Sequence, residues 1–188
     1  YFLPSLPLEH GSLVNTSPLL LIADHRGEGL EDHLKALALE GFRIQITGNL
    51  RSTLLAIDHE IPSLILLDPL SRSGAEELRT LDDVRTGNPP IPLLILSFAE
   101  RRADLIESLG TLSNGLWDLT ERRAPREEVL MRITRLLNEA RLHSEMRDLR
   151  HRASHDDRTD LLRVNSFQQR LGEHFSAAQR HHFDMALV

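Results

Sequence analysis

The run Leu-Ile-Leu-Leu at 64–67 constrains the fold of this chain more than any other stretch. It lies between Pro62 and Pro69, and it is too short for a buried helix. Four branched apolar residues in a row instead suit a strand that is covered on both faces. The run ends on the carboxylate of Asp68. Because ligands gather beyond the carboxyl ends of strands in open parallel sheets, Asp68 is a candidate site residue.

Five strand candidates alternate with helical segments over residues 18–124. Two of them, at 19–23 and 93–96, also end on polar side chains, those of Asp24 and Ser97. Such alternation predicts an α/β fold with a parallel sheet and right-handed crossovers. The other strands are predicted at 42–46, as an edge strand, and at 116–119, and helices are predicted from Leu30 to Gly41, over 49–59, over 74–86 and over 100–109.

From Pro125 the pattern changes to one long helix over 125–152, about 27 residues and roughly 40 Å in length. Its first half carries enough apolar residues to pack on the sheet. Its second half keeps only a narrow stripe with heptad-like spacing, which we call the seam: Leu142, Met146, Leu149 and Ala153. The seam predicts a two-helix contact in a dimer, and the alternative is a solvated connector without a partner.

The two ends of the chain differ from its middle. Residues 1–17 are rich in Pro, Ser and Gly and are predicted to be an irregular lead-in. In the tail over 153–188, Asn165 with Gln168 suggests the capped start of a helix, and 185–188 suggests the opening of a buried strand. This tail is too small to bury its apolar face alone. We therefore expect it to begin a second α/β domain, and the chain to be a fragment of a longer protein.

Composition excludes several classes of function. The net charge of −6 argues against a nucleic-acid partner. The chain has no cysteine, so it has neither disulfides nor thiolate metal sites. No apolar run approaches the roughly 20 residues that span a bilayer, so we expect no membrane association and a cytoplasmic location.

A set of single residues in strand context links the chain to a known family. Asp24, Asp68 and Ser97 follow the first, third and fourth strands, and Gly115 precedes the fifth. On these positions residues 18–138 resemble the receiver domain of bacterial two-component response regulators. The resemblance implies a flavodoxin-like, doubly wound sheet of order 2-1-3-4-5, with Asp68 as the phosphoacceptor and a sensor histidine kinase as a partner.

The tail carries a second resemblance. Residues 153–161 read Ala-Ser-His-Asp-Asp-Arg-Thr-Asp-Leu, and Phe167 follows. This stretch resembles the motif A-x-x-D-x-L-T-G-L-x-N-R-R-x-F that opens GGDEF domains, the cyclases that make cyclic di-GMP. Arg158, Asp160 and Arg163 replace the leucine, glycine and asparagine of the motif. The matching residues are Ala153, Asp156, Thr159, Leu161 and Phe167.

The receiver-like pocket departs from the family pattern. Receivers place two adjacent acids after the first strand, but here the pair is Asp24-His25, and imidazole is a poor ligand for Mg²⁺. A Mg²⁺ site on Asp24 and Asp68 is therefore weakened. The lysine of receivers is absent, since the only lysine is Lys35 in the first helix, and Arg122 falls at that position. Arginine keeps the charge but is planar and bulkier.

Two interpretations of the pocket follow. In the first, Asp68 still accepts phosphate, and Ser97 and Arg122 bind the phosphoryl group. In the second, Asp24 and Asp68 remain as a hydrogen-bonded or arginine-paired cluster in a receiver that no longer turns over. We favour the second, because the acid pair, the lysine and the loop after Asp68 are all altered. A zinc pair at His151 and His155 is a weaker hypothesis than two solvated histidines.

The combined resemblance predicts the regulatory part of a cyclic di-GMP signalling response regulator. The receiver-like domain at 18–124 and the helix at 125–152 would form a homodimer and control an attached GGDEF domain beginning at 153. GTP and Mg²⁺ would bind only the part of that domain beyond this chain, so this fragment itself should be catalytically inert. The alternative is a non-enzymatic docking module with degenerate receiver and GGDEF parts, ahead of an EAL phosphodiesterase domain.

Overall fold

The structure is a computed structural model in which contacts divide the chain into two compact units, Tyr1–Leu137 and Asn138–Val188. The predicted lead-in before Ser17 lies outside the described residues, as does the predicted strand at 185–188 apart from Ala186. The described residues are 17–27, 30, 35, 37–70, 74–87, 90–113, 115–156, 158–184 and 186.

The first unit contains one all-parallel sheet. Its strand order is β2-β1-β3-β4-β5, which confirms the predicted flavodoxin-like, doubly wound fold. The order reverses between β1 and β3, and this is the kind of position where open α/β sheets place their functional residues. The strands are β1 (Leu19–Asp24), β2 (Arg43–Thr47), β3 (Leu64–Asp68), β4 (Leu93–Ser97) and β5 (Trp117–Glu121).

Strand β3 lies in the middle of the sheet because both of its faces are apolar. Leu64 and Leu66 belong to one hydrophobic core, and Ile65 and Leu67 belong to another on the opposite face. All four side chains are buried. The run of branched residues is therefore covered on both sides, as predicted.

The helices cover the two faces of the sheet. Asn49 caps the helix that follows β2 by accepting the backbone N–H of Ser52 at 2.9 Å. One core receives Ile57, Leu78 and Leu105 from three successive helices. These helices are α1 (Leu50–His59), α2 (Ala75–Arg85) and α3 (Arg102–Leu109), and a 3-10 turn at Ala99–Arg101 precedes α3. Only part of the predicted first helix is described, and residues 37–39 of it are helical.

Helix α4 (Arg126–Ser154) runs unbroken for 29 residues, which confirms the predicted long helix. In the first unit its residues Val129, Ile133 and Leu136 are fully buried in the core that contains Leu64 and Leu66. In the second unit the side chains of the same helix are mostly exposed. Burial therefore ends where the helix leaves the first unit.

The second unit continues with helix α5 (Val164–His181). The prediction that Asn165 caps this helix was wrong, because Asn165 lies inside its first turn. The residue at the cap position is Arg163, whose backbone is extended and whose N–H donates to the carbonyl of Ser154 at 2.8 Å. That bond fixes the chain just before the helix, and the helix begins two residues earlier than the capping pattern indicated. Among the described residues, no helix is both long and apolar enough to cross a membrane.

Candidate functional site

The register of the sheet brings the two predicted acids together. Asp24 at the end of β1 is directly paired with Asp68 at the end of β3. The backbone N–H of His25 also donates to the carbonyl of Asp68 at 3.2 Å, which extends the pairing by one residue. Two carboxylates therefore lie next to each other at one edge of the sheet, and their charges repel unless cations are near.

Arg122 supplies such a cation. Its Nε donates a 2.6 Å hydrogen bond to Oδ2 of Asp68. Asp68 is only 2% exposed, and the Arg122 side chain is 12% exposed. Burial raises the pKa of Asp68, and the hydrogen bond and charge of Arg122 oppose that rise without cancelling it. The predicted neighbours Asp68 and Arg122 therefore form a largely buried ion pair.

Two residues that the sequence analysis missed complete this cluster. The guanidinium of Arg26 lies 4.9 Å from the centre of the Phe98 ring, and that of Arg122 lies 5.7 Å from it. These are cation–π distances. Burial raises the pKa of Asp68, and the charge of Arg26 opposes that rise together with Arg122. The only available sequence signals were their positions, one residue after His25 and one residue after Ser97.

His25 does not join the acids with its side chain. Its Nε2 lies 3.0 Å from Oγ1 of Thr53, which is itself 2.7 Å from Oγ1 of Thr47. On the other side of the ring, Nδ1 lies 3.7 Å from Oε1 of Glu77. The same carboxylate accepts the backbone N–H of Leu70 at 2.7 Å, so it also holds the loop after Asp68. The imidazole is thus part of a buried polar chain between β2, α1 and α2.

Ser97 is buried at the end of β4. Its hydroxyl donates to the carbonyl of Phe98 at 2.8 Å, and its own carbonyl accepts the N–H of Arg122 at 2.7 Å. The residue therefore positions the backbone of two members of the cluster. The structure brings Asp24, Asp68, Ser97 and Arg122 to one sheet edge, and turns the side chain of His25 elsewhere.

The carboxylates of this edge have specific partners. One oxygen of Asp24 accepts the N–H of Gly27 at 3.1 Å, and one oxygen of Asp68 is held by Arg122. Within the described part of the chain, no group of three or more His, Asp or Glu side chains is arranged to hold a metal ion.

The second unit contains a turn built on the motif-like residues. Oδ1 of Asp156 accepts the backbone N–H groups of Arg158 and Thr159 and the hydroxyl of Thr159, all at about 3 Å. These hydrogen bonds, that of the Thr159 side chain first, hold the pKa of Asp156 below its usual range. Asp160 follows with φ = 55°, in the left-handed region that favours glycine. An antiparallel bridge between His155 and Leu162 closes the turn.

The two histidines of the weaker zinc hypothesis are stacked. The ring centres of His151 and His155 are 4.0 Å apart and the rings are within 9° of parallel. Nitrogen lone pairs lie in the plane of each ring, so two parallel rings cannot direct them at one ion in this arrangement. The geometry favours a stacked surface pair over chelation.

The seam residues in α4 are exposed. Leu142 and Met146 are each 53% exposed and Leu149 is 66% exposed. Their spacing places them on one face of the helix. A single exposed apolar residue needs no explanation, but a row of them along one face is a pattern that interaction surfaces share.

Comparison with known proteins supports the fold. No protein-family model and no curated protein sequence matches the chain. Among solved structures, NtrX from Brucella abortus in complex with ATP is 19% identical with a TM-score of 0.63, over 86% of this chain and 35% of that chain. A CheY-like response regulator receiver domain protein from Methanospirillum hungatei is 18% identical with a TM-score of 0.52, over 68% and 99% of the two chains.

A fusion that contains the trimeric coiled coil of yeast Spc42 is also similar, at 12% identity and a TM-score of 0.55, over 88% of this chain and 95% of that chain. The chain spans about a third of the length of the NtrX chains that it matches. At these identities the likeness establishes the receiver fold and nothing finer.

Proposed function

We propose that this chain is the regulatory part of a cyclic di-GMP signalling response regulator. The receiver-fold unit and the long helix form a dimer, and the dimer controls a GGDEF domain that begins near residue 153. One observation carries the proposal. Helix α4 leaves the core of the receiver fold without a break, carries an exposed apolar face, and leads directly into the turn at Asp156.

The turn supports the GGDEF part of the proposal. Asp156 and Thr159, which match the motif, are the residues whose side chains build the turn. Asp160 stands where the motif has glycine, and it adopts a backbone conformation for which glycine is best suited. A left-handed residue at the glycine position of the motif supports the resemblance, and aspartate tolerates that region better than most residues.

The seam supports a parallel dimer. With Leu142 and Leu149 at heptad positions d, Glu145 falls at position g and Arg150 at position e. In a parallel two-stranded coil, position g of one helix faces position e of the other five residues further on. Glu145 of each chain would therefore face Arg150 of its partner, which gives two such pairs across the seam. An antiparallel pairing about the same centre would instead set His143 against Arg150.

Control of the attached domain would follow from dimer geometry. A cyclase that joins two GTP molecules held by two domains requires those domains to meet. A change in how two α4 helices pair would alter that meeting, which is a population shift between two arrangements. GTP and its Mg²⁺ would be held by the catalytic part of the GGDEF domain. A sensor histidine kinase is the partner expected if Asp68 accepts phosphate.

Single-cysteine cross-linking tests the dimer, because the chain contains no native cysteine. In the parallel arrangement, Leu149→Cys should give a covalent dimer under mild oxidation, since two d positions meet across the seam. Arg147→Cys, on a neighbouring face of the same helix, is the matched control and should not cross-link efficiently. Light scattering separates a dimer from a trimer. The distinction is useful because the similar Spc42 fusion contains a trimeric coiled coil.

The control of catalysis is tested in the protein that carries this chain together with its following sequence. Cyclic di-GMP formation from GTP and Mg²⁺ should fall when Met146→Glu and Leu149→Glu separate the helices. Unchanged formation in a monomeric variant would refute control through the dimer.

One observation favours a second candidate, a non-enzymatic docking module. Arg163, which replaces the asparagine of the GGDEF motif, donates from Nε to the carbonyl of His155 at 2.7 Å, so this position is used to hold the turn. In that case the parent protein would make no cyclic di-GMP under any condition. It would still dimerise through α4, and it would carry its activity, if any, in a following phosphodiesterase domain.

A further inference from the structure

We propose that the pocket around Asp68 is a fixed charge latch that joins the ends of four strands, and that it neither binds Mg²⁺ nor accepts a phosphoryl group. This inference goes beyond the proposed function, which leaves the input signal open. The latch consists of Arg26 after β1, Asp68 at the end of β3, Phe98 after β4 and Arg122 after β5.

Access to the carboxylate of Asp68 is restricted. A phosphoryl donor must reach an oxygen of Asp68 in line with the bond that breaks. Asp68 is 2% exposed, and its Oδ2 is engaged at 2.6 Å by Nε of Arg122. The guanidinium itself lies 5.7 Å from the centre of the Phe98 ring, so leaving its position would cost both the ion pair and the ring contact.

The donor groups of the pocket differ from those that Mg²⁺ prefers. Mg²⁺ demands an octahedral shell of oxygen atoms at about 2.1 Å, with carboxylates and water preferred. This pocket offers Asp24 and Asp68, of which one is bound to a guanidinium and the other accepts the N–H of Gly27. The side chain of His25, at the position of the second acid in receivers, is bonded to Thr53 instead. The residues present do not fit a magnesium site.

Arginine side chains of the protein balance the charge of the pocket. Two carboxylates this close cannot both stay ionised without cations. The family resemblance implies that a divalent ion and a lysine supply this positive charge in receivers. Here Arg26 and Arg122 lie near Phe98, and their positive charges act on Asp68. Two acids and two arginines form a cluster with no net charge. The protein's own side chains therefore do what a bound metal would otherwise do.

The latch has a mechanical consequence for helix α4. Arg122 precedes the first residue of α4, Arg126, by only four positions, and its backbone N–H is bonded to Ser97. The start of the helix is thus tied to the sheet edge by a side chain and by the backbone. The pocket holds the helix origin in one arrangement that phosphodonors and Mg²⁺ do not change.

Wild-type protein gives the direct test. After incubation with acetyl phosphate and MgCl₂, intact mass should show no phosphoryl adduct of about 80 Da. MgCl₂ should also leave the thermal midpoint unchanged relative to NaCl at equal ionic strength, because a ligand that binds only the folded state would raise it. An adduct that is lost in Asp68→Ala, or a rise in the midpoint specific to Mg²⁺, would overturn the latch. Neither result would affect the cross-linking test of the dimer.

A double-mutant cycle tests the tie itself. Asp68→Asn, Arg122→Gln and the double variant are compared by urea denaturation, and the two changes should be strongly non-additive. The control is the exposed pair Arg126 and Glu127, which are bonded at 2.7 Å but lie in solvent, and which should be additive. Additivity at Asp68 and Arg122 would overturn the latch. If Arg122→Gln does not fold, Arg122→Lys serves in the cycle, because lysine keeps the charge without the planar contact to Phe98.

Discussion

Nε of Arg122 lies 2.6 Å from Oδ2 of Asp68, and this contact joins the loop after β5 to the end of β3. The two residues are 54 positions apart in the sequence. Strand β4 lies between them in the sheet, so their meeting depends on the register of three strands. The contact therefore reports whether the whole edge of the sheet is correctly formed.

Arg122→Ala should destabilise the folded protein strongly. It leaves the buried carboxylate of Asp68 without its main cation, and breaking a largely buried pair in this way costs about 3 kcal/mol. The measurement is the free energy of unfolding in urea at neutral pH. Arg126→Ala, which removes an arginine from an exposed pair, should change it little. Equal effects of the two substitutions would show that the Asp68 pair contributes no more than a surface contact.

The destabilisation by Arg122→Ala should decrease as the pH falls. Because the pKa of Asp68 is raised, the folded state holds the proton of this carboxyl more tightly than the unfolded chain does. Its contribution to stability is thus complete below the ordinary aspartate pKa and is lost as the pH rises through the raised value. Removing Arg122 raises the pKa of Asp68 further, so the penalty grows toward neutral pH. Denaturation of both proteins across the acid range tests this, and parallel curves would contradict it.

A second buried pair fixes the loop before β5. Oδ2 of Asp82 accepts the backbone N–H of Ser113 at 2.7 Å and also its hydroxyl, while Oδ1 lies 2.8 Å from the fully buried guanidinium of Arg85. Asp82→Ala should cost about 3 kcal/mol, because it removes the carboxylate that contacts the buried guanidinium of Arg85. Asp83→Ala, one residue along on the exposed side of α2, is the control and should be nearly neutral.

Asp82 should respond to pH in the opposite direction from Asp68. Burial opposes its ionisation, but the hydrogen bonds from Ser113 and the charge of Arg85 outweigh burial and hold its pKa below the usual range. Its contribution to stability is therefore present above the ordinary aspartate pKa and is lost as the pH falls through the lowered value. The stability advantage of wild type over Asp82→Asn should shrink in acid. An advantage that does not depend on pH would contradict this assignment.

The fold could be predicted because the strands are simple. Runs of branched apolar residues such as 64–67 have few alternatives to a doubly covered strand, and parallel order follows from their alternation with helices. The meeting of Asp24 and Asp68 follows from the same reasoning, since both end neighbouring strands. These inferences depend on main-chain geometry, which the hydrophobic pattern largely determines.

Side-chain directions could not be predicted in the same way. His25 turns toward Thr53 and Glu77, and both partners come from helices distant in sequence. Arg26 was missed because its role depends on an aromatic ring that follows another strand. The cap at Asn165 was predicted wrongly because the backbone of Arg163, bonded to Ser154 nine residues earlier, is the extended residue before α5. For His25 and Arg26, long-range contacts decide the direction of the side chain, and the local pattern carries no signal of them.

Met146→Glu combined with Leu149→Glu should weaken self-association. The two charges would be buried in an apolar contact that offers them no partner. Light scattering over a concentration series measures the effect. The control is Ser144→Glu with Arg147→Gln on other faces of α4, which lowers the net charge by the same two units. A dimer that survives the seam substitutions would place the interface elsewhere in the chain.

Asp160→Gly should stabilise the turn in the second unit. Asp160 has φ = 55°, a region in which the Cβ atom of most residues crowds the backbone and in which glycine, without a Cβ, is unstrained. Relief of this strain is worth about 1 kcal/mol. The hydrogen bonds that build the turn end on Asp156 and Thr159, so they remain in this variant. The readout is hydrogen exchange at the backbone amides of Arg158 and Thr159, which should slow. Asp160→Val is the matched opposite, because a β-branched residue fits the left-handed region poorly, and it should speed the same exchange. Faster exchange in Asp160→Gly would mean that the aspartate side chain holds the turn, so that the residue is not a tolerated replacement for glycine.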